Sequence, residues 1–267
     1  MKKIIVWLAV MMYTLSGYAQ DANFHIYLCL GQSNMEGNAK VEEQDTVAVD
    51  SRFQVLAAVD CPNLGRTKGN WYKAVPPLAR CYTGLTPGDY FGRAMVANLP
   101  SNVQVGIINV AVGGCKIELF DKDNYQSYVE TSPDWLKNMV KEYGGNPYAR
   151  LVEMAKLAQK DGVIKGILLH QGESNTNDKD WPSKVKGVYD NLLKDLGLSA
   201  ADVPLLAGEV VHADQNGICA SMNTIIDSLP QVIPTAHVIS SAGCPAAFDN
   251  LHFTAEGYRM LGARYAS

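Results

Sequence analysis

The sequence predicts an α/β protein in which helices cover both faces of a parallel β-sheet. Short apolar segments alternate along the chain with segments of helical periodicity, which is the pattern of repeated strand–helix units. The apolar segments are nearly continuous, as expected for strands that are buried on both faces. With 267 residues, the chain can form one domain of about 250 residues or two smaller ones. The sequence shows no internal repeat and no interdomain linker, which favours one domain.

Residues 1–19 are predicted to be a signal peptide. Lys2 and Lys3 give a positive start, and the apolar run at residues 4–15 is too short to span a bilayer comfortably. Small residues precede a cleavage site that we predict after Ala19. A retained membrane anchor is the alternative interpretation. The mature protein, residues 20–267, is therefore expected to be secreted or periplasmic.

Five apolar segments are predicted to be the strands of the sheet. Each is five to nine residues long, close to the length typical of buried strands, about 4 to 8 residues. The predicted strands span residues 25–30, 103–111, 163–170, 203–211 and 236–240. All five are expected to run parallel, because helical segments alternate with them along the chain.

Helical segments lie between the predicted strands. The clearest one begins at Pro147, because proline is favoured at the first helical position. Leu151, Met154, Ala155 and Ala158 then share one face at helical spacing. The other predicted helices span residues 88–99, 182–196, 216–229 and 254–266.

Two long stretches, residues 40–86 and 113–146, are predicted to be irregular. Irregular segments of this length in a compact domain usually build a functional site. In an open parallel sheet, ligands bind at the carboxyl ends of the strands, so the segments that follow the strands are the place to search. These segments read GQSNMEG at 31–37, GGCKIELF at 113–120, QGESN at 171–175, GEVVHAD at 208–214 and FDNLHFT at 248–254.

Ser33, Asp249 and His252 carry the chemistry of a nucleophilic site. Serine is a weak nucleophile until a base takes its proton, and the base is usually a histidine that a carboxylate holds in one tautomer. Ser33 follows the first predicted strand, whereas Asp249 and His252 follow the last. All three are therefore expected at one edge of the sheet. A surface turn with a helix-capping aspartate is the alternative interpretation of Asp249 and His252.

Acyl transfer also requires N–H groups that point at the oxygen on which negative charge develops. Gly113 and Gly114 can present a backbone N–H with no side chain in the way, and Ser33 and Gln171 can supply others. A turn that requires positive φ is a compatible interpretation of the two glycines. Met35 replaces the second glycine of the G-x-S-x-G pattern, so the serine does not lie on the nucleophile elbow of an α/β-hydrolase.

Taken in order, GQSNMEG, the Gly-Gly turn, HQGESN and DNLHF resemble the motifs of SGNH-type esterases. Within that group the chain is most similar to sialate O-acetylesterase-like proteins and to acetylxylan esterases of the sixth carbohydrate-esterase family. The resemblance covers essentially all of the mature chain. It implies the SGNH hydrolase fold, a flavodoxin-like three-layer α/β/α domain, here with a five-stranded parallel sheet. It also implies removal of acetyl groups from sugars without a metal or an organic cofactor.

The same resemblance implies a role for individual residues. It makes Ser33 the nucleophile, His252 the base and Asp249 the acid that orients the base. The residues that match positions around the oxyanion and the substrate are Gln32, Gly114 and Gln171.

The third motif departs from the general SGNH pattern. That pattern carries G-x-N-D, whose asparagine donates to the oxyanion, whereas this chain reads QGESN at residues 171–175. The side-chain donor to the oxyanion is therefore open, and a second carboxylate, Glu173, is expected near the site. In the xylan esterases such a glutamate is thought to assist the histidine. A structural carboxylate that binds loop N–H groups is an equal alternative for Glu173.

Charge limits the partners of the mature chain. Without Lys2 and Lys3, the 23 basic residues become 21 against 27 acidic ones, a net charge of −6. An acidic chain is poorly suited to nucleic acid or to anionic membrane surfaces and fits a neutral substrate.

Six cysteines lie in the mature chain, and an exported protein meets conditions in which disulfides form. Cys61 and Cys81 flank a loop rich in proline and glycine and are the first candidate pair. Cys219 and Cys244 are the second. Cys29 falls in a strand and is expected to be a small buried apolar residue. No spacing of cysteine and histidine indicates zinc.

Aromatic residues offer faces on which sugar rings can stack. Trp71 and Trp135 are candidates for this role, with packing as the equal alternative, whereas Trp181 precedes a helix-starting proline and is expected to be structural. His170 ends a buried run and is interpreted as a core histidine.

The function predicted from the sequence is that of a carbohydrate O-acetylesterase that acts on acetylated glycans through an acyl-serine. A lipase or thioesterase on the same scaffold is one alternative, and an inactive sugar-binding protein is another. Sialic acid, xylan and other acetylated glycans are all compatible with the motifs, and the oligomeric state is open.

Overall fold

The structure is a computed structural model that describes residues 20–267, so the predicted signal peptide lies outside the described residues. The strands are β1 (Asp21–Gly31), β2 (Phe53–Leu56), β3 (Trp71–Lys73), β4 (Gln104–Ala111), β5 (Gly162–His170), β6 (Leu205–Gly208) and β7 (Ala236–Ile239). The helices are α1 (Ser33–Glu36), α2 (Glu43–Thr46), α3 (Pro87–Asn98), α4 (Tyr125–Thr131), α5 (Asp134–Glu142), α6 (Pro147–Ala158), α7 (Trp181–Leu196), α8 (Asn223–Ile226), α9 (Leu229–Val232) and α10 (Ala255–Tyr265).

The strands form one sheet in the order β3-β2-β4-β1-β5-β6-β7. Every neighbouring pair is parallel except β2 and β3, which are antiparallel. The five predicted strands are all present and adjacent, in the order β4-β1-β5-β6-β7. Numbered among themselves they read 2-1-3-4-5, which is the flavodoxin-like order.

The prediction of five strands is incomplete, because the sheet has seven. Strands β2 and β3 lie inside the predicted irregular stretch 40–86 and have four and three residues. Segments this short carry too few residues for a periodicity to appear. Strand β3 is also a partly exposed edge strand, so it lacks the apolar run that marks the central strands.

Two hydrophobic clusters cover opposite faces of the sheet. On β1, Ile26 and Leu28 face the cluster that includes α6 and α7, whereas Tyr27 and Cys29 face the one that includes α3 and α10. The alternation follows from the two-residue repeat of a strand. Full burial of a side chain such as Leu28 contributes about 1.5 to 3 kcal/mol. Burial on both faces therefore fixes β1 at the centre of a three-layer arrangement.

Side-chain caps fix where the main helices begin. Asn146 accepts a hydrogen bond from the N–H of Ala149 at 2.9 Å, and Pro147 follows it at the first helical position, as predicted for α6. Thr254 caps α10 in the same way through the N–H of Gly257. The cap of α10 fixes the chain direction immediately after His252.

Two of the secondary-structure predictions are wrong in detail. The stretch 113–146 contains α4 and α5 rather than only irregular chain. The predicted helix at 216–229 is broken into short turns, α8 and the start of α9. Asn216 has a left-handed φ of +58°, so the helix does not begin there, and the Asn223 side chain binds both backbone groups of Val210, which ties this segment to the chain just after β6.

Cys61 and Cys81 form a disulfide, which confirms the first predicted pair. The second predicted pair is wrong, because Cys219 and Cys244 are both free thiols. Cys29 is fully buried, as expected. No helix within residues 20–267 has the length and apolar character that a membrane crossing requires.

Candidate active site

The candidate site lies where the loops after β1, β4 and β5 meet the loop that precedes α10. At the end of β1, Gly31 has a φ of +151°, and a Cβ there would lie 2.0 Å from the backbone oxygen of His170. Only glycine permits this contact. The N–H of Gln32 then donates to the same oxygen at 3.0 Å. The serine turn is thereby fixed against the end of the neighbouring strand.

Ser33, His252 and Asp249 form a continuous chain of hydrogen bonds. Ser33 Oγ lies 2.8 Å from His252 Nε2, and His252 Nδ1 lies 2.7 Å from Asp249 Oδ2. Because a carboxylate only accepts, Nδ1 carries the proton and Nε2 presents a lone pair to the serine hydroxyl. This is the arrangement in which a histidine can take a proton from serine.

Asp249 is held as a carboxylate by its surroundings. Its Oδ1 accepts the backbone N–H groups of Leu251 and His252, each at 3.0 Å. Burial on its own would raise the pKa of Asp249, but these bonds and the one from the His252 ring outweigh it, so the pKa is lowered below its usual value. The group that orients the imidazole is therefore ionised at neutral pH.

Two backbone N–H groups next to the serine are free to bind an oxyanion. Within residues 20–267, the N–H groups of Ser33 and Gly114 have no acceptor, whereas that of Gly113 donates to Glu36 Oε1 at 3.1 Å. A Cβ at Gly113 would lie 3.7 Å from that of Ser33, so the Gly-Gly turn adjoins the serine. Gly114 has a φ of +72°, and the Trp135 ring occupies the place where its Cβ would stand.

The Gln171 amide is fully used by the protein. Its Nε2 donates to Asn175 Oδ1 at 2.8 Å, to Gln32 Oε1 at 3.1 Å and to the Cys115 oxygen at 3.2 Å, while its Oε1 accepts from Trp181. An amide nitrogen has only two hydrogens, so none remains for an oxyanion. The structure therefore does not support Gln171 as an oxyanion donor; its side chain instead ties together the loops that follow β1, β4 and β5.

Gln32 retains an amide that the protein does not use. Its Oε1 accepts from Gln171 and from the backbone N–H of Ser174 at 3.2 Å. A backbone N–H can only donate, so these contacts identify which end of the Gln32 amide is oxygen. Its Nε2 has no acceptor in the described part of the chain, which leaves this group available to a substrate.

Glu173 makes no hydrogen bond to His252, so of its two expected roles the structure does not support assistance to the base. Its Oε1 accepts from the Asn34 amide and lies 3.7 Å from His170 Nδ1. His170 is fully buried, as expected of a core histidine, and its Nε2 binds the backbone oxygen of Glu209. Burial lowers the pKa of His170, although Glu173 acts in the opposite direction. Glu173 thus supports the serine turn through its hydrogen bond with Asn34.

Asn34, which no sequence pattern singled out, joins the serine turn to the histidine loop. Its Nδ2 donates to the Leu251 oxygen at 3.1 Å as well as to Glu173, and its Oδ1 accepts from Tyr258 at 2.6 Å. Asn34 is completely buried. A polar residue next to Ser33 in the motif was the signal that could have identified it.

Glu36 and Arg80 were also missed. Glu36 binds the Gly113 N–H and forms a buried ion pair with Arg80, which pairs in addition with Glu142. Cys81, which follows Arg80, is held by the disulfide. A chain of contacts therefore runs from the disulfide loop to the Gly-Gly turn. The place of Glu36 in the serine motif, three residues after Ser33, was the available signal.

The candidate stacking residues differ in their surroundings. Trp135 is 54% exposed and lies against Gly114. Trp71 packs on Phe24 with ring centroids 4.7 Å apart, and Trp181 is fully buried, as expected of a structural residue. Only Trp135 of the three presents a ring beside the site. Among residues 20–267, no group of three or more His, Cys, Asp or Glu side chains is arranged to hold a metal ion.

Comparison with solved structures supports the fold. An Arabidopsis thaliana protein superimposes with a TM-score of 0.69 at 22% identity and covers 92% of this chain and 97% of its own. NanS gives a TM-score of 0.63 at 14% identity, over 92% of this chain and 95% of its own. A carbohydrate acetylesterase from Xanthomonas citri gives 0.62 at 18% identity, over 90% of this chain and 55% of its own.

Comparison of sequences identifies the family. A probable carbohydrate esterase of Arabidopsis thaliana is 25% identical over 257 residues, which cover 90% of this chain and 88% of the relative. Residues 23–267 match the family model described as carbohydrate esterase, sialic acid-specific acetylesterase. This match spans nearly all of the chain and includes every motif of the site. The chain therefore belongs to the family of sialic acid-specific acetylesterases among the carbohydrate esterases.

Proposed function

We propose that this protein is a serine esterase that removes O-acetyl groups from carbohydrates. The observation that carries the proposal is the chain of hydrogen bonds from Ser33 Oγ to His252 to Asp249, with bonds of 2.8 and 2.7 Å. Membership of a carbohydrate esterase family supports the ester and the sugar as substrate. The free N–H groups of Ser33 and Gly114 support acyl transfer.

In the first step, Ser33 Oγ attacks the acetyl carbonyl carbon while its proton passes to His252 Nε2. Asp249 stabilises the imidazolium that forms. The negative charge on the tetrahedral oxygen is bound by the N–H groups of Ser33 and Gly114. Each such donor typically contributes a factor of about 10² to 10³ in rate.

The tetrahedral intermediate then breaks its bond to the sugar oxygen, which receives the proton from His252. The sugar leaves as an alcohol, and Ser33 carries the acetyl group. A water molecule attacks this ester, again with His252 as the base, and releases acetate and free Ser33. The cycle requires only groups that this chain supplies, together with water.

Replacement of the proposed nucleophile tests the function directly. We expect Ser33→Ala to lower kcat on 4-nitrophenyl acetate by at least about 10³-fold, because among residues 20–267 Ser33 carries the only hydroxyl that is hydrogen-bonded to a histidine. Ser127→Ala is the control, since Ser127 is exposed and its hydroxyl binds only the nearby Asn124 oxygen. Undiminished turnover by Ser33→Ala would show that Ser33 is not the nucleophile.

Two further measurements separate the alternatives. A lipase or thioesterase on this scaffold would hydrolyse 4-nitrophenyl octanoate at least as well as the acetate, whereas an acetylesterase would prefer the acetate. An inactive sugar-binding protein would not react with a fluorophosphonate at Ser33. We expect labelling of Ser33 and preference for the acetyl ester.

We further propose that the protein is exported after removal of residues 1–19. The disulfide between Cys61 and Cys81 supports this proposal, because structural disulfides form mainly in oxidising compartments. The intact mass of the protein recovered from the medium or the periplasm tests it. A chain that begins at Gln20 is expected, and a chain that retains Lys2 and Lys3 would contradict it.

A further inference from the structure

A cleft of about 810 Å³ opens beside the serine turn. One wall is formed by residues 36–41, and the other by Arg80 and residues 82–84, with Glu142 at one end. Ser33 does not line the cleft, but Glu36 of its lining binds the N–H of Gly113, which adjoins Ser33, so this end of the cleft lies close to the proposed nucleophile. A substrate that extends beyond its acetylated sugar can therefore continue into this space.

The two walls of the cleft are tied to each other. The N–H of Gly84 donates to the Gly37 oxygen at 2.7 Å, and that of Leu85 donates to the Ala39 oxygen at 2.7 Å. The disulfide at Cys81 anchors the start of the second wall. Since these contacts hold the walls before any ligand arrives, binding costs little ordering of the chain.

Tyr82 lines this cleft, and most of its side chain is exposed to solvent. It is 89% exposed, whereas most large apolar side chains of the described residues are buried. Trp135, a second exposed ring, does not line this cleft and lies instead against Gly114. An exposed ring in the lining of a cleft indicates a binding surface, and the face of an aromatic ring suits the C–H face of a pyranose.

The charges of the cleft cancel. Glu36 and Glu142 both pair with Arg80, whose side chain is only 11% exposed. Lys40 is the other cation of the lining, so two carboxylates face two cations. The guanidinium is already bound by two carboxylates, and no excess positive charge remains to attract an anionic sugar.

We propose that this cleft binds neutral sugar units next to the acetylated residue of an oligosaccharide, with Tyr82 stacking on one pyranose ring. The inference rests on the proposed function and specifies its substrate class as a neutral acetylated oligosaccharide. It assigns to Tyr82 a role in substrate affinity that is separate from the chemical step at Ser33.

Binding of xylohexaose, an uncharged and unacetylated oligosaccharide, tests the cleft without use of catalysis. By isothermal titration calorimetry we expect the unaltered protein to bind it, and Tyr82→Ala to weaken binding about fivefold to tenfold, the effect of one aromatic contact. Tyr82→Phe keeps the ring and should bind nearly as tightly as the unaltered protein. Val47→Ala removes an exposed apolar side chain outside the cleft and is the control.

Equal affinity of Tyr82→Ala and the unaltered protein would overturn the proposal, as would the absence of binding. Tighter binding of 3′-sialyllactose, a carboxylated sugar, than of xylohexaose would overturn the assignment of a neutral substrate. Hydrolysis of 4-nitrophenyl acetate, measured on the same samples, reports the proposed function separately. Hydrolysis without xylohexaose binding would contradict only the proposal that the cleft binds sugar. Binding without hydrolysis would contradict only the proposed esterase activity.

Discussion

Asp249 and Glu173 are two carboxylates close to the serine turn, and only one of them touches the imidazole. Asp249 Oδ2 accepts from His252 Nδ1 at 2.7 Å. Glu173 binds the Asn34 amide instead, and that amide also donates to the Leu251 oxygen next to His252. The two side chains therefore act at different distances from the proton transfer, which makes their relative importance measurable.

We expect Asp249→Asn to lower kcat on 4-nitrophenyl acetate by about 10³- to 10⁴-fold, because the amide no longer holds the histidine in the required tautomer. Glu173→Gln should cost about tenfold or less, since the amide can still accept a hydrogen bond from Asn34. Both are measured as kcat and KM at pH 7.5. A larger loss in Glu173→Gln would show that Glu173 is the more important acid.

At the scale of single residues, the sequence indicates which side chains can react. It does not show which of their polar atoms are already hydrogen-bonded within the protein. Ser33 and His252 could be selected because their side chains follow the ends of predicted strands. The engagement of Gln171 could not be foreseen, because it depends on three acceptors that come from separate loops. Hydrogen-bond satisfaction is a property of the assembled site, and no local pattern records it.

At the scale of elements, the Gly-Gly turn after β4 depends on contacts from outside that strand. Glu36 in α1 accepts the Gly113 N–H, and Arg80 neutralises Glu36. Because Gly113 adjoins Ser33, holding Gly113 also restrains the backbone of Gly114, whose N–H has no acceptor among residues 20–267. Glu36 and Arg80 are thus positioning residues for the proposed oxyanion site.

We expect Glu36→Gln to lower kcat on 4-nitrophenyl acetate by about tenfold with little change in KM. A hydrogen bond to a charged group contributes about 1.5 to 3 kcal/mol, and the turn acts mainly on the transition state. Glu153→Gln, an exposed acid that pairs with Lys68, is the matched control. A rise in KM at constant kcat would contradict a role in positioning the oxyanion donors.

Some strands and helices could be predicted from the sequence, and others could not. The central strands were predictable because burial on both faces produces continuous apolar runs. Helix α5 has only nine residues and is mostly polar, but Leu136, Met139 and Val140 recur at helical spacing, so its apolar stripe was present in the sequence and was missed inside a stretch predicted to be irregular. The break at Asn216 arises from a left-handed residue and from the Asn223 clamp, neither of which changes the hydrophobic pattern.

At the scale of the whole molecule, the strand order brings the serine turn near the N-terminus close to the histidine loop near the C-terminus. Strand β1 is central, and α10 packs with α3 on one face of the sheet, so the loop before α10 reaches the serine turn. The start of α3 supports that turn, because Thr86 Oγ1 donates to the Met35 oxygen at 2.7 Å. Global stability and the geometry of the site are therefore linked through α3.

Asp89 places a pH-dependent group at the start of α3. Its Oδ2 accepts the Thr86 N–H at 2.9 Å, but its Oδ1 is buried with no partner in the described chain. Burial raises the pKa of Asp89 to about 8, against the lowering influence of the Thr86 bond and of Arg93. The folded protein thus keeps a proton on Asp89 at pH values where the unfolded chain, with a carboxyl pKa of about 4, has lost it.

The folded state therefore binds one more proton than the unfolded state between about pH 4 and pH 8, and this contribution to stability is lost as the pH rises through that range. Other groups titrate in the same window, and the buried His170 acts with the opposite sign. The difference between Asp89→Asn and the unaltered protein isolates Asp89, because asparagine is neutral at every pH and still accepts the Thr86 bond.

We expect urea denaturation to show that Asp89→Asn gains stability relative to the unaltered protein as the pH rises from 5 to 8. Three pH units correspond to at most about 4 kcal/mol, at about 1.4 kcal/mol per unit. Asp190→Asn, on the exposed face of α7, should show no such dependence beyond the loss of its pair with Lys186. A free-energy difference that stays constant across this range would mean that Asp89 is ionised in the folded protein.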